Sequence, residues 1–211
     1  MTQHFIHLRL HSEFSISDGL ARIDAAIDAA AHDHQGALAL TDSMNLFGAV
    51  RFYKAARAAG VKPILGCDVW ITNETDRDRP HRLLLLVTST QGYLNLCQLV
   101  SRGWLENAHR ERGELRAEWL TTESTQGLIA LSGALAGEIG VTLLAGQTEA
   151  AQAAAIRFAQ AFPQRFYIEL QRAGFAGEKI YERAALALAI ELQLPVVATH
   201  PVQFIAPEDF R

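Results

Sequence analysis

Apolar positions along the chain fall into short continuous runs separated by longer stretches of helical spacing. Residues 5–10 form a short strand candidate, broken at Asp18-Gly19 and followed by alanine-rich helical spacing over 20–32. Residues 37–41 form a second strand. Asp42 or Asn45 is placed to cap a helix over 46–59, which Gly60 stops from the C′ position. Strands are predicted at 63–71 and 82–88, then a helix over 91–104. The polar stretch 106–118 reads as the one long loop, with Trp104 and Trp119 as core anchors on either side. A strand at 128–132 precedes a short helix through 141–144 and a longer one over 148–162. A strand at 166–170, a helix over 178–192 and a strand at 196–199 complete the order. Strands this uniformly apolar predict a parallel sheet covered by helices. Two architectures fit, a closed (β/α) barrel and an open doubly wound sheet, and both place function at the C-terminal strand ends. No Gly-x-Gly-x-x-Gly follows the first strand, which counts against a dinucleotide fold.

Composition narrows the class. The 211 residues are 49% hydrophobic and 20% charged, enough for one large α/β domain with a real core. No apolar run reaches membrane-spanning length, and the first 15 residues lack the pattern of a signal peptide. Cys67 and Cys97 give neither a zinc ribbon nor a disulfide framework, and two isolated thiols suit the cytoplasm. The net charge of −4 and a pI near 6.1 argue against a domain that grips a nucleic-acid backbone on its own.

The polar residues cluster at the expected strand ends. His11 and Asp18 follow the first strand, Thr41-Asp42-Ser43 the second, and Asp68 lies on the third. His81 and Arg82 open the fourth strand, and His200 ends the last. Carboxylates and imidazoles at successive strand ends are what a multinuclear metal site requires. The competing reading makes Asp18 and Asp42 ordinary turn and helix-cap residues. His4, His32, His34 and His109 read as surface residues. The arginines of 106–118 belong to a solvated loop, with contact to DNA or a partner as the alternative.

Six ordered segments are more specific than this spacing: HLRLHSEFSISDG, LALTDSMNLFGAVRFY, KPILGCDVW, LLLLVTSTQGYLNL, LIALSGALAGEIG and LPVVATHPVQFI. Together they resemble the PHP (polymerase and histidinol phosphatase) domain, in the form that opens the alpha subunit of proteobacterial DNA polymerase III. The resemblance implies an α/β fold of the distorted (β/α)7 barrel type, with residues 1–211 as a single PHP domain at the N-terminus of a much longer polymerase chain. The sequence ends at 208–211, where the family continues into the palm.

An intact member of that family holds up to three metal ions at the barrel mouth. Transferred residue by residue, the ligand pattern fails here. Arg9 stands at the first histidine position, while His11 and Asp18 survive. Thr-Asp-His has become Thr41-Asp42-Ser43, and the glutamate has become Asp68. Arg82 occupies the fourth-strand histidine position, and the adjacent His81 faces the other side by strand alternation. Ser-Gly-Cys has become Ser132-Gly133-Ala134, and Asn-Asp-x-His has become His200-Pro201-Val202-Gln203. Three ligand positions remain, His11, Asp18 and Asp68, too few for a two-metal or three-metal centre. A unit charge about 5 Å from a divalent ion costs on the order of 6 kcal/mol at an effective dielectric near 20, so Arg9 and Arg82 oppose a metal.

The expectation is that Arg9 and Arg82 pair with Asp18 or Asp68 and replace the charge of the lost metals, against the plainer reading of two rim arginines. No catalytic residue and no cofactor are expected. The resemblance implies a non-catalytic domain that supports the polymerase and docks the proofreading exonuclease (epsilon) subunit, with little direct DNA contact. The alternative is a metal-dependent phosphoesterase, a 3′-5′ exonuclease or pyrophosphatase, on a reduced divalent-metal site.

Overall fold

The computed structural model describes residues 5–16 and 18–210, so His4 lies outside the described residues. The strands are β1 (Ala37–Leu40), β2 (Lys62–Ile71), β3 (His81–Val87), β4 (Ala108–His109), β5 (Arg112–Gly113), β6 (Leu128–Leu131), β7 (Phe166–Gln171) and β8 (Val196–Thr199). The helices are α1 (Ile23–His32), α2 (Ala49–Ala58), α3 (Thr90–Glu106), α4 (Glu138–Leu144), α5 (Thr148–Ala161) and α6 (Glu178–Glu191). The chain divides into two compact units, residues 1–68 with 200–211, and residues 69–199.

In the first unit β1 pairs in parallel with the start of β2, Ala37 opposite Lys62 and Leu40 opposite Leu65. The expected first strand, 5–10, forms no continuous ladder. It nonetheless lies between two neighbours: Ala39 N donates to His7 O and Thr41 N to Leu10 O, while Val202 N donates to Arg9 O and His11 N to Val202 O. Helix α1 buries Ile23, Ala26, Ile27 and Ala30, the i, i+3, i+4, i+7 stripe of an amphipathic helix. It starts three residues later than expected because Leu20 and Ala21 donate their N–H groups to Gln203 O. Helix α2 contributes Phe52 and Ala56 to the same core. Full burial of Phe52 stabilises by about 2–3 kcal/mol. Gly60, with φ of +77°, closes α2 as expected: Gly60 N reaches Arg57 O and Val61 N reaches Ala56 O. Neither Asp42 nor Asn45 caps α2, whose N-cap is Gly48; Asn45 instead accepts from Phe47 N in a turn before the helix.

In the second unit β6 pairs in parallel with β7, and β7 with β8. Strand β3 runs antiparallel to β6, which corrects the all-parallel expectation. The direction of β3 is set by its other neighbour in the sheet, β2, since a parallel neighbour needs a crossover of a dozen residues or more. Only residues 72–80, with no helix, link β2 to β3. The stretch 106–118 is not a solvated loop either. It contains the hairpin β4–β5 and buries Glu114, which accepts from Arg112 Nε at 3.0 Å, Arg77 Nη2 at 3.3 Å and Thr72 Oγ1 at 3.1 Å. Trp104 is exposed rather than a core anchor, and Trp119 is half-buried beneath the Arg102 guanidinium, 4.0 Å from its ring centre.

Helix α3 carries Gly92 against the backbone of Gly127, where an added Cβ would stand 1.9 Å from a carbonyl oxygen. Alanine ordinarily stabilises a helix interior by roughly 0.5–1 kcal/mol over glycine. Here Gly92→Ala is expected to destabilise by about 1–3 kcal/mol, because the facing group is backbone and must move. A lowered urea midpoint at unchanged m-value is the expected reading.

Candidate functional site

In the first unit Arg9 and His11 meet Asp68, and Asp18 meets His11 from its other ring nitrogen. Arg9 and His11 are two residues apart on an extended segment, so period-two alternation turns both to one face. The bridge between Ser43 and Asp68 extends the β1–β2 pairing and fixes the Asp68 backbone, whose N–H donates to Asp42 O at 3.2 Å. Arg9 Nη1 donates to Asp68 Oδ2. His11 Nε2 lies 3.0 Å from the same oxygen, and His11 Nδ1 lies 3.0 Å from Asp18 Oδ1. Arg9, His11 and Asp68 are all buried, whereas Asp18 keeps a quarter of its side chain exposed, at 25%.

Asp18 reaches His11 because the chain doubles back between them. Ser12 and Ala21 form a bridge, and Glu13 N donates to Ala21 O at 3.0 Å. Only glycine fits at position 19 of that loop, since a Cβ there would meet Ser12 O at 2.0 Å. A second buried carboxylate holds the near side of the loop. Asp42 accepts from Ser12 N at 2.7 Å, from Ser12 Oγ at 2.9 Å and from Ser15 Oγ at 2.8 Å. Sequence reasoning missed this role; the signal was the pair of serines in the segment joined to the strand that ends at Asp42.

Burial pulls the His11 pKa down, but hydrogen bonds to Asp18 and Asp68, with the charge of both, outweigh it and raise the pKa from 6.5 to about 9. At neutral pH His11 is therefore an imidazolium that donates from both nitrogens. Two cations, Arg9 and His11, face two carboxylates, Asp18 and Asp68. Such a cluster balances charge without an ion. The Arg9 guanidinium, already bonded to Asp68, places a permanent cation where a metal sharing that carboxylate would have to sit, and opposes one there. Cys67, beside Asp68, is fully buried and its thiol is pushed up by that burial and by the Asp68 charge, so it offers no thiolate.

Arg82 belongs to the second unit, where its guanidinium carbon stands over Trp70, 3.5 Å from the ring centre. His81 is buried and held neutral by that burial. Ser132 and Gly133, at the lost cysteine segment, serve Glu169: Ser132 Oγ accepts from Glu169 N at 2.9 Å, and Gly133 N donates to Glu169 Oε2 at 3.0 Å. Glu169 is fully buried and also accepts from Thr199 Oγ1. A carboxylate inside the apolar run of β7 was its signal in the sequence. His200 is exposed just past β8.

This frame is that of the PHP domain, whose family matches residues 7–173, and the chain belongs to that family. Across 98–100% of its length it is similar to the DNA polymerase III subunit alpha of Neisseria meningitidis (47% identical), Pseudomonas aeruginosa (43%) and Escherichia coli K12 (38%). The chain spans 18% of the length of these relatives. Among solved structures it is similar to an amidohydrolase of Chromobacterium violaceum, with a TM-score of 0.67 at 15% identity over 97% of this chain and 89% of that one. A two-domain protein of Bacteroides vulgatus, described as containing a predicted PHP-like metal-dependent phosphoesterase, gives a TM-score of 0.58 at 13% identity over 94% and 52%. Likenesses at such identities establish the fold, an α/β fold of the PHP type.

Two outcomes test the cluster. Asp68→Ala strands Arg9 and His11 as buried neighbouring cations, and a loss of about 3–5 kcal/mol in unfolding free energy is expected. The second follows from the raised His11 pKa. Its contribution, on the order of 3 kcal/mol for that displacement, is complete below pH 6.5 and is lost as pH rises through 9. Urea midpoints measured from pH 6 to pH 10 are expected to fall across that window in the native chain and to flatten in His11→Gln.

Proposed function

We propose that this chain is a non-catalytic structural and docking domain of a replicative DNA polymerase III alpha subunit, working in the cytoplasm. Its parent chain would carry out DNA-directed DNA synthesis on residues outside this sequence. Its partners are the rest of the alpha chain and the proofreading exonuclease subunit, with little direct contact to DNA. The observation that carries the reading is the His11 ring held by Asp18 on one nitrogen and Asp68 on the other, with the Arg9 guanidinium on the same Asp68 carboxylate. In the place where the family resemblance puts hydrolytic metals, this chain has a cluster of two cations and two carboxylates. Arg9 supplies the replacement charge there, and Arg82 is assigned the same role from its motif position alone. No cofactor is needed by a domain of this kind. The names of the relatives support the parent assignment, and the near-complete coverage of this chain by each of them supports its being one coherent piece of such a protein.

The test has two arms. With added Mn²⁺ or Zn²⁺, p-nitrophenyl phosphate is expected to be hydrolysed no faster than in buffer containing the metal alone. Turnover that disappears in His11→Ala would overturn the non-catalytic reading in favour of a phosphoesterase. In the second arm, titration of the chain with the purified exonuclease subunit is expected to give a saturable one-to-one complex by calorimetry. No heat and no co-elution would sink the docking role.

A further inference from the structure

A cleft of about 430 Å³ opens in the first unit between α1 and residues 200–205 and shares no residue with the Asp68 cluster. Leu10 and Leu38 form its floor, Ala26, Ala29 and Ala30 one wall, and Val202 part of the other. Alanines on the helix face leave room where larger side chains would fill it. That volume falls in the range of small-ligand sites, which combine an apolar lining with a few placed polar groups.

Two of the polar groups here are unmet acceptors. Helix α1 ends in a turn in which His34, with φ of +54°, occupies the C′ position and Gln35 N donates back to Ala30 O at 2.9 Å. That turn carries the Gln35 side chain, only 9% exposed, to the cleft. Its amide orientation is fixed, because Nε2 donates to the Asp33 carboxylate at 3.0 Å. Oε1 is thereby left buried with no hydrogen-bond partner. His7 Nδ1, which also lines the cleft, is buried with no partner either. Burial and the neighbouring His200 ring, whose centre is 6.3 Å away, hold the His7 pKa below its ordinary value against the pull of Asp33. The His7 ring is therefore neutral and can accept. A buried acceptor without a donor is a standing cost, and a fold retains such groups where a ligand or solvent satisfies them.

We propose that this cleft binds an amphipathic cation, an ammonium or guanidinium group on an apolar stem. The stem lies along the alanine face of α1, and the head donates to Gln35 Oε1 beside the Asp33 carboxylate. The same chemistry is offered by a free aralkyl amine and by an arginine side chain in an apolar peptide. The site stands independently of the docking role proposed above.

The test is calorimetric titration of the full chain with phenethylamine, with its neutral counterpart 2-phenylethanol, and with a capped Leu-Arg-Leu peptide. Saturable binding of the amine is expected, with the alcohol at least about ten-fold weaker. Gln35→Leu and Asp33→Asn are each expected to weaken the amine about ten-fold. Ala29→Trp, which fills the cleft from an exposed position, is expected to abolish binding at an unchanged melting temperature. Tighter binding of the peptide than of the amine identifies a protein partner as the source, and the reverse order a free amine. The proposal is overturned by absence of saturation with both cations, by equal binding of the alcohol, or by binding that survives both Gln35→Leu and Ala29→Trp.

Discussion

A carboxylate removed from water inside an α/β core has to be neutralised where it stands, and Asp68 imposes that requirement on the first unit. Ionised and unpaired, it would cost several kcal/mol. Arg9 and His11 meet the demand together, from alternate positions of one extended segment. The consequence is mechanical as well as electrostatic. The N-terminal segment is tied to β2, and Asp18 closes the far side of His11. The loop between them is anchored a second time by Asp42, through hydroxyls and a backbone N–H rather than cations. Two buried carboxylates with two kinds of partner thus set the path of residues 9–16 and 18–21.

The same frame accommodates opposite chemistries. A metal centre needs neutral imidazoles and ionised carboxylates pointing at a shared empty point. Replacing one imidazole by a guanidinium fills that point with a permanent cation. The remaining imidazole then gains most by taking a proton and joining the pair of carboxylates as a donor. Buried ion pairs of this sort are weak evidence for net stability, since desolvation offsets much of the Coulomb gain. Their contribution lies in specifying one arrangement of side chains and in making any single deletion costly. In the second unit the Glu169 carboxylate accepts from Gly133 N, Gln171 Nε2 and Thr199 Oγ1, while its own backbone N–H donates to Ser132 Oγ.

Periodicity carried most of the element order, because apolar stripes of period 3.6 and runs of buried β-branched and leucine residues are local properties. The Gly60 stop was legible for the same reason. Misreadings arose where a local pattern was decided by a distant partner. Residues 5–10 look like a strand and lie like one, yet irregular pairing on both edges keeps them from a continuous ladder. The stretch 106–118 looks polar enough to be solvated, but Glu114 is buried by Arg77 and Arg112, one of them 37 residues away in sequence. The reversed direction of β3 was visible in principle from the missing helix before it. A run such as RLLLLV, apolar on both faces, gives no direction by itself.

By itself the sequence determined the family frame, most of the element order, and the acidic and imidazole side chains of His11, Asp18 and Asp68. These follow from residue type, order and periodicity, all properties of the chain read in one dimension. Tertiary structure alone decided which carboxylate each cation meets, because Asp18 and Asp68 were equally available until the 12–21 loop and the β1–β2 pairing fixed their distances. It alone set the protonation of His11, since a pKa responds to the balance between burial and two specific neighbours. It also left Gln35 and His7 with unsatisfied acceptors beside an apolar cleft. Nothing in a glutamine after a helix or a histidine before a strand announces that, because an unmet hydrogen bond is defined by what the rest of the fold fails to bring near.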